Sequence, residues 1–171
     1  MKIWLMNHYA TSMFEDRAGR HYWFAKELIA RGYDVTVFCA TTFLNNDKEI
    51  DTKGKVLTVK RRDGIPFVFV KTVVSVGNGM DRVKNMGMFY WNLFPAAKAY
   101  AKKYGKPDII LASSVHPLTM IAGIQIAKKM KIPCICEIRD LWPEGIFRHG
   151  RITEKSLLGM ALTKGEHWIY K

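Results

Sequence analysis

The 171-residue chain holds only three cysteines and six prolines. It has no run approaching the roughly 18 apolar residues that a membrane span needs. Cys39, Cys134 and Cys136 all sit in apolar, strand-like segments. Their odd number argues against a disulfide framework and for reduced, buried thiols. Cys134 and Cys136 stand two apart and share a strand face. No second ligand pair follows at zinc spacing, so no metal centre is expected. The first apolar run, Ile3–Met6, is shorter than the ~7-residue core of a signal peptide. Residues 2–8 read instead as a first strand, and the location expected is the cytoplasm. A dinucleotide fingerprint is also missing. Gly19 stands alone where G-x-G-x-x-G is required, and the second strand ends in Cys39-Ala40-Thr41 with no acidic residue for a ribose. That excludes an NAD or FAD domain. The G-x-S-x-G elbow is absent too, which speaks against a serine nucleophile.

Acidic residues are scarce as well, 15 against 27 lysines and arginines, for a net charge of +12. Such an excess points to an anionic partner: nucleic acid, an anionic membrane face or a phosphorylated substrate. The charge is spread over three groups: Lys53, Lys55, Lys60, Arg61 and Arg62; Lys98, Lys102, Lys103 and Lys106; Lys128, Lys129 and Lys131. Neither an RRM-type aromatic signature nor zinc ligands accompany them, so nucleic acid is not the partner expected.

What the chain does have is regular alternation of strand and helix patterns. Strands are expected at Lys2–His8, Asp34–Cys39, Lys55–Arg61, Phe67–Val74, Ile109–Ala112 and Pro133–Ile138, with a turn at Asp63-Gly64. The spacing predicts helices over Arg20–Arg31, Asp81–Tyr104, Pro117–Met130 and Thr153–Lys171. Gly32 ends the first, Pro117 suits a first-turn position and Thr153 caps the last. In Arg20–Arg31 the apolar positions at helical spacing are Phe24, Ala25, Leu28 and Ile29. In Asp81–Tyr104 they are Val83, Gly87, Tyr90, Phe94, Ala97 and Ala101, with a kink at Pro95. Residues 9–19 read as a loop. The order predicts an α/β, Rossmann-like, doubly wound parallel sheet with helices on both faces, one domain over 1–171. The pattern breaks off inside its last helix, at Trp168-Ile169-Tyr170-Lys171, as expected of a cut before a second domain; a natural terminus is the alternative.

Ligands of such sheets bind beyond the carboxyl ends of the strands, and four stretches qualify as site or surface. The loop after the first strand carries Asn7 and His8 and leads to Gly19 and Arg20 at a helix N-terminus, which suits an anion; an ordinary tight turn at Gly19 is the alternative. After the strand Ile109–Ala112 come Ser114 and His116, suited to a hydroxyl-rich ligand or a phosphate; helix capping by Ser114 is the alternative. After the strand Pro133–Ile138 comes Arg139-Asp140-Leu141-Trp142-Pro143-Glu144. There Asp140 can accept a substrate hydroxyl, Arg139 can pair with a phosphate or with Glu144, and Trp142 can stack on a sugar or pack inside. Lastly, the helix Asp81–Tyr104 is apolar on more than one face. It is either deeply covered or touches lipid or a partner, and its Trp and Tyr beside lysines suit a membrane interface.

These stretches resemble family-4 glycosyltransferases. The likeness rests on the Asn-His-Tyr strand end, the run from Phe24 through Gly32 to Val37, Ile110–Ser114, and above all Arg139-Asp140-Leu141-Trp142-Pro143-Glu144. It is nearest to the bacterial branch that builds capsule and O-antigen polysaccharides. The resemblance implies the N-terminal, acceptor-binding half of a GT-B enzyme that retains anomeric configuration. The nucleotide-sugar donor is a co-substrate, and neither a metal nor another cofactor is required. The family's donor-binding segment, with two glutamates separated by seven residues, has no counterpart here, so a C-terminal donor-binding domain is an implied partner and the fragment alone is expected to be inactive. Asp140 would contact the reacting sugar or the acceptor hydroxyl as the catalytic residue. Gly19 and Arg20 would lie near the donor diphosphate, although this loop departs from the usual two-glycine form. His116 would line the acceptor side. Acceptors of this branch are lipid-linked saccharides, typically on polyprenyl diphosphate. That accounts together for the positive charge, the aromatic helix and a peripheral place at an anionic membrane surface. The alternative is a non-catalytic binding module, or one subunit of a split transferase.

In the gene product, Asp140→Asn is expected to lower sugar transfer by about tenfold or more while the fold stays intact. Wild-type turnover with a wild-type circular-dichroism spectrum would remove Asp140 from the site.

Overall fold

A computed structural model describes residues 1–77, 79–114, 116–139, 147 and 153–169. It is an α/β structure with a six-stranded, mostly parallel sheet between two helical layers. The strands are β1 (Lys2–Met6), β2 (Asp34–Ala40), β3 (Leu57–Arg62), β4 (Ile65–Val70), β5 (Ile109–Ser113) and β6 (Cys134–Glu137). They lie in the order β3-β4-β2-β1-β5-β6. Only β3 runs antiparallel, joined to β4 by Asp63-Gly64, both at positive φ as a two-residue hairpin turn demands. The helices are α1 (Thr11–Asp16), α2 (Arg20–Ala30), α3 (Met80–Tyr104), α4 (Pro117–Met130) and α5 (Leu157–Ile169).

The central strands are apolar on both faces because both are covered. In β1, Ile3 and Leu5 point to the layer of α1 and α2, while Trp4 and Met6 point to that of α3 and α4. The same alternation splits Val35, Val37 and Cys39 from Phe38 and Ala40, and Phe67 and Phe69 from Val68 and Val70. Strand side chains alternate with period two, so one continuous apolar run feeds two cores. Among the described residues, no helix is long and apolar enough to cross a membrane.

Several expectations need correction. Residues 11–16 form a helix, not a loop; Phe14 of α1 packs edge-on against Phe67 and Phe69. In α2 the inward residues are His21, Tyr22 and Ala25, and Phe24 is exposed, because a polar residue, His21, takes an inward position. In α3 the buried stripe is Asn85, Phe89, Leu93, Ala96, Ala97 and Tyr100, while Val83 is exposed and Tyr90 and Phe94 are half-buried. The helix turns Asn85 inward because its amide donates to Thr42 Oγ1 (2.9 Å) and to the Val73 carbonyl. A satisfied polar group thus displaces the purely apolar stripe. Ser156, not Thr153, caps α5: its hydroxyl accepts from the Gly159 N–H at 3.0 Å. Cys39 is buried, but Cys134 and Cys136 are only half-buried, because β6 is an edge strand.

Helix α4 lies close on β5 through Gly123. A Cβ there would stand 2.5 Å from that of Ala112. Gly123→Ala should therefore cost stability, by about 1–3 kcal/mol, although alanine favours helix. A urea midpoint equal to or above wild type would show that α4 can shift away from the sheet.

Candidate functional site

The chain runs from β1 outward to β2 and β4, then returns across the sheet to β5 on the other side of β1. The sheet therefore reverses direction between β1 and β5. In open α/β sheets the crevice beyond the strand ends at such a reversal is where ligands bind. The residues at that crevice come from the ends of β1, β5 and β6 and from the starts of α2 and α4.

Backbone pairing continues past Met6: the Asn7 N–H donates to Phe38 O at 3.0 Å, and the Ala40 N–H to His8 O at 3.0 Å. Asn7 and His8 are thus held as strand, and consecutive strand residues point to opposite faces. Asn7 faces α2 and His8 faces α3. Each begins a separate cluster.

On the α2 side, the Asn7 amide lies 3.0 Å from His21 Nδ1. His21 Nε2 lies 3.2 Å from Glu137 Oε2, and Arg20 Nη1 donates to Glu137 Oε1 at 2.6 Å. Asn7, His21, Glu137 and Arg20 form one chain of contacts tying β1, α2 and β6 together. Burial pushes the Glu137 carboxyl up, but the Ser113 hydroxyl, Arg20 and His21 outweigh it and hold it below the usual glutamate range. Burial pulls His21 down to about 4 against the opposing pull of Glu137, so the ring is neutral near pH 7. Next to them, Ser114 Oγ accepts the Arg139 backbone N–H at 2.9 Å.

On the α3 side, His8 Nδ1 lies 2.6 Å from His116 Nε2, and both rings are buried. The His8 ring is stacked between Tyr9 and Phe89, with centroids at 4.5 and 4.4 Å. Arg82 covers Tyr9, donating from Nε to its hydroxyl at 3.3 Å. Burial holds His8 well below its ordinary value, with the His116 ring lowering it further and the Asn85 side chain acting the other way. Burial likewise lowers His116 to about 4. Both rings are then neutral. One N–H joins them, so a single outer nitrogen, His8 Nε2 or His116 Nδ1, carries the pair's second proton. Among the described residues His116 Nδ1 has no hydrogen-bond partner. Such a pair can take a proton at one end and release it at the other.

Of the nominated residues, Asn7, His8, Arg20, Ser114, His116 and Arg139 all lie at this end of the sheet. Arg20 is exposed, and Glu137 holds one of its terminal nitrogens. Gly19 has φ +98°, and a side chain there would meet Met13, so its form serves the tight entry into α2. Ser114 does not cap α4; His116 occupies the cap position, and Pro117 follows in the first turn. Asp140, Trp142 and Glu144 lie outside the described residues. Sequence reasoning nominated neither His21 nor Glu137. Glu137 was legible as the last residue of an edge strand at the ligand-binding end, and His21 as the neighbour of Arg20. Among the described residues no group of three or more histidines, cysteines or carboxylates could hold a metal ion. Compared with models of known protein families and with curated proteins, the chain finds no match.

The three buried histidines set an acid limit. Each takes up a proton less readily folded than unfolded, so stability is complete above about pH 6.5 and is lost as pH falls toward 4. For His116 alone the shift amounts to about 3 kcal/mol. His116→Gln is expected to flatten the fall in the urea midpoint across that window; an unchanged slope would mean that His116 takes up its proton as readily folded as unfolded.

Proposed function

We propose that this chain is the acceptor-binding half of a retaining GT-B glycosyltransferase that moves a sugar from a nucleotide-sugar to a lipid-linked glycan in surface polysaccharide synthesis. One observation carries the reading. Six residues nominated from the sequence, spread from position 7 to 139, come together at the crevice where the sheet reverses. Each is a strand-end or helix-start residue in the sequence pattern, and the parallel pairing of β1, β5 and β6 gathers those ends at one edge of the sheet.

The roles follow from chemistry. The helix N-terminus at Arg20 favours the donor diphosphate, with Glu137 fixing the guanidinium in place. The buried His8–His116 pair would back the acceptor side from beneath Tyr9. Asp140, which follows Arg139 in the sequence, would be the catalytic residue; the Arg139 backbone N–H donates to Ser114 Oγ. The donor nucleotide would be held mainly by a second domain. Basic surface and exposed aromatics would bring the protein to an anionic membrane face, where its lipid-linked acceptor lies.

The direct test is transfer. The gene product, given uridine- and guanosine-diphosphate sugars and a polyprenyl-diphosphate-linked saccharide, should form a glycoside of retained configuration. Failure to turn over any donor, together with failure of the folded protein to bind the acceptor, would overturn the reading.

A further inference from the structure

Two of the three basic groups, far apart in sequence, meet in space. Helices α3 and α4 pack side by side and leave a groove of about 390 Å³ along their C-terminal halves. That is within the range of about 300–1,000 Å³ usual for small-ligand sites. Its floor is apolar: Phe94, Ala97 and Ala101 from α3, Ile126 and Met130 from α4. Its rim carries Lys98, Lys106 and Lys129, and no acidic residue lines it. Lys129 reaches over the Phe94 ring at 5.0 Å, and Lys106 lies 3.5 Å from the Met130 carbonyl. Among the described residues none of the three has a carboxylate within salt-bridge distance. An apolar trough rimmed by unneutralised ammonium groups complements a molecule with a hydrocarbon chain and an anionic head.

The surface beside the groove indicates where that molecule comes from. Trp91, Pro95, Lys98 and Lys102 follow one another at helical spacing along the outer side of α3, all exposed, with Trp91 70% open to solvent. An indole in line with lysines suits the interface of an anionic bilayer, where the ring lies at headgroup level and the ammonium groups meet phosphate. We propose that the groove between α3 and α4 seats the acyl chain of an anionic membrane lipid, with Lys98, Lys106 and Lys129 around its phosphate. This rests on the membrane part of the proposed function and not on its chemistry.

Vesicle co-sedimentation tests it, with phosphatidylcholine vesicles that contain or lack phosphatidylglycerol. The wild-type chain should bind the anionic vesicles. Lys98→Ala with Lys129→Ala should weaken binding about 25-fold, at roughly fivefold per lysine near an anionic surface. Lys53→Ala with Lys55→Ala, which removes equal charge elsewhere, should change it less than about twofold. Ala101→Phe fills the trough at constant charge and should also weaken binding severalfold; Ala101→Leu replaces it if the larger ring prevents folding. Equal losses in the two lysine pairs would overturn the groove and leave a diffuse electrostatic attraction. Wild-type binding by the trough-filling variant would overturn a seated chain. Groove variants that break a dimer in sedimentation and leave vesicle binding unchanged would assign the groove to a second copy instead.

Discussion

Everything at the crevice depends on β1 having parallel neighbours on both sides. With β2 on one flank and β5 on the other, its backbone groups are satisfied through to His8, and its residues alternate between two closed cores. That register delivers Asn7 to the layer of α2 and His8 to the layer of α3 one residue later. Sliding the strand by one residue would exchange the two and dismantle both clusters. The site is therefore a consequence of strand register before it is a consequence of loop conformation.

The two clusters solve the cost of buried polar groups in different ways. Around Glu137 the solution is charge: a carboxylate at a strand end draws in Arg20 and His21 and so fastens the start of α2 to the far edge of the sheet. Around His8 the solution is neutrality. Two imidazoles share one hydrogen bond, and burial keeps both uncharged, so no counter-ion is needed beneath Tyr9 and Phe89. His21 shares in the acid window, and the rest of it follows from this second solution, because protonating either ring places a charge where little else can solvate it. Arg82, at the top of the stack, covers Tyr9 and adds to the cost of charging either histidine.

The sequence made the succession of strands and helices, the two-sided burial and the strand-end residues legible, because period-two and period-3.6 patterns report directly which surfaces meet water. It misled wherever a polar residue faced inward. His21 and Asn85 occupy core positions that the apolar pattern reserves for carbon, and each turned the assigned face of its helix. The partners that make burial tolerable, Glu137 for His21 and Thr42 with Val73 for Asn85, lie more than ten residues away, so no local pattern announces them. Helix α1 was missed for a related reason. Its six residues are too few to show a helical period, and its stability comes from Phe14 packed on β4. Cys134 and Cys136 looked buried because an edge strand and a central strand have the same local composition.

The long helix α3 joins the two ends of the molecule. At 25 residues it spans about 37 Å. Near its start, Arg82 and Asn85 reach the cluster around His8 and Tyr9; its second half forms one wall of the lysine-rimmed groove. Its inner stripe is fixed to the sheet by Asn85, Phe89, Leu93 and Tyr100, so the helix is held at several points along its length and cannot rotate at one end alone. If α3 lies on a bilayer through its outer stripe, the orientation of the crevice to that bilayer is then set by the fold. An acceptor tethered to the same membrane would meet the crevice at a fixed height. In that orientation the excess of positive charge would hold one face of the molecule down.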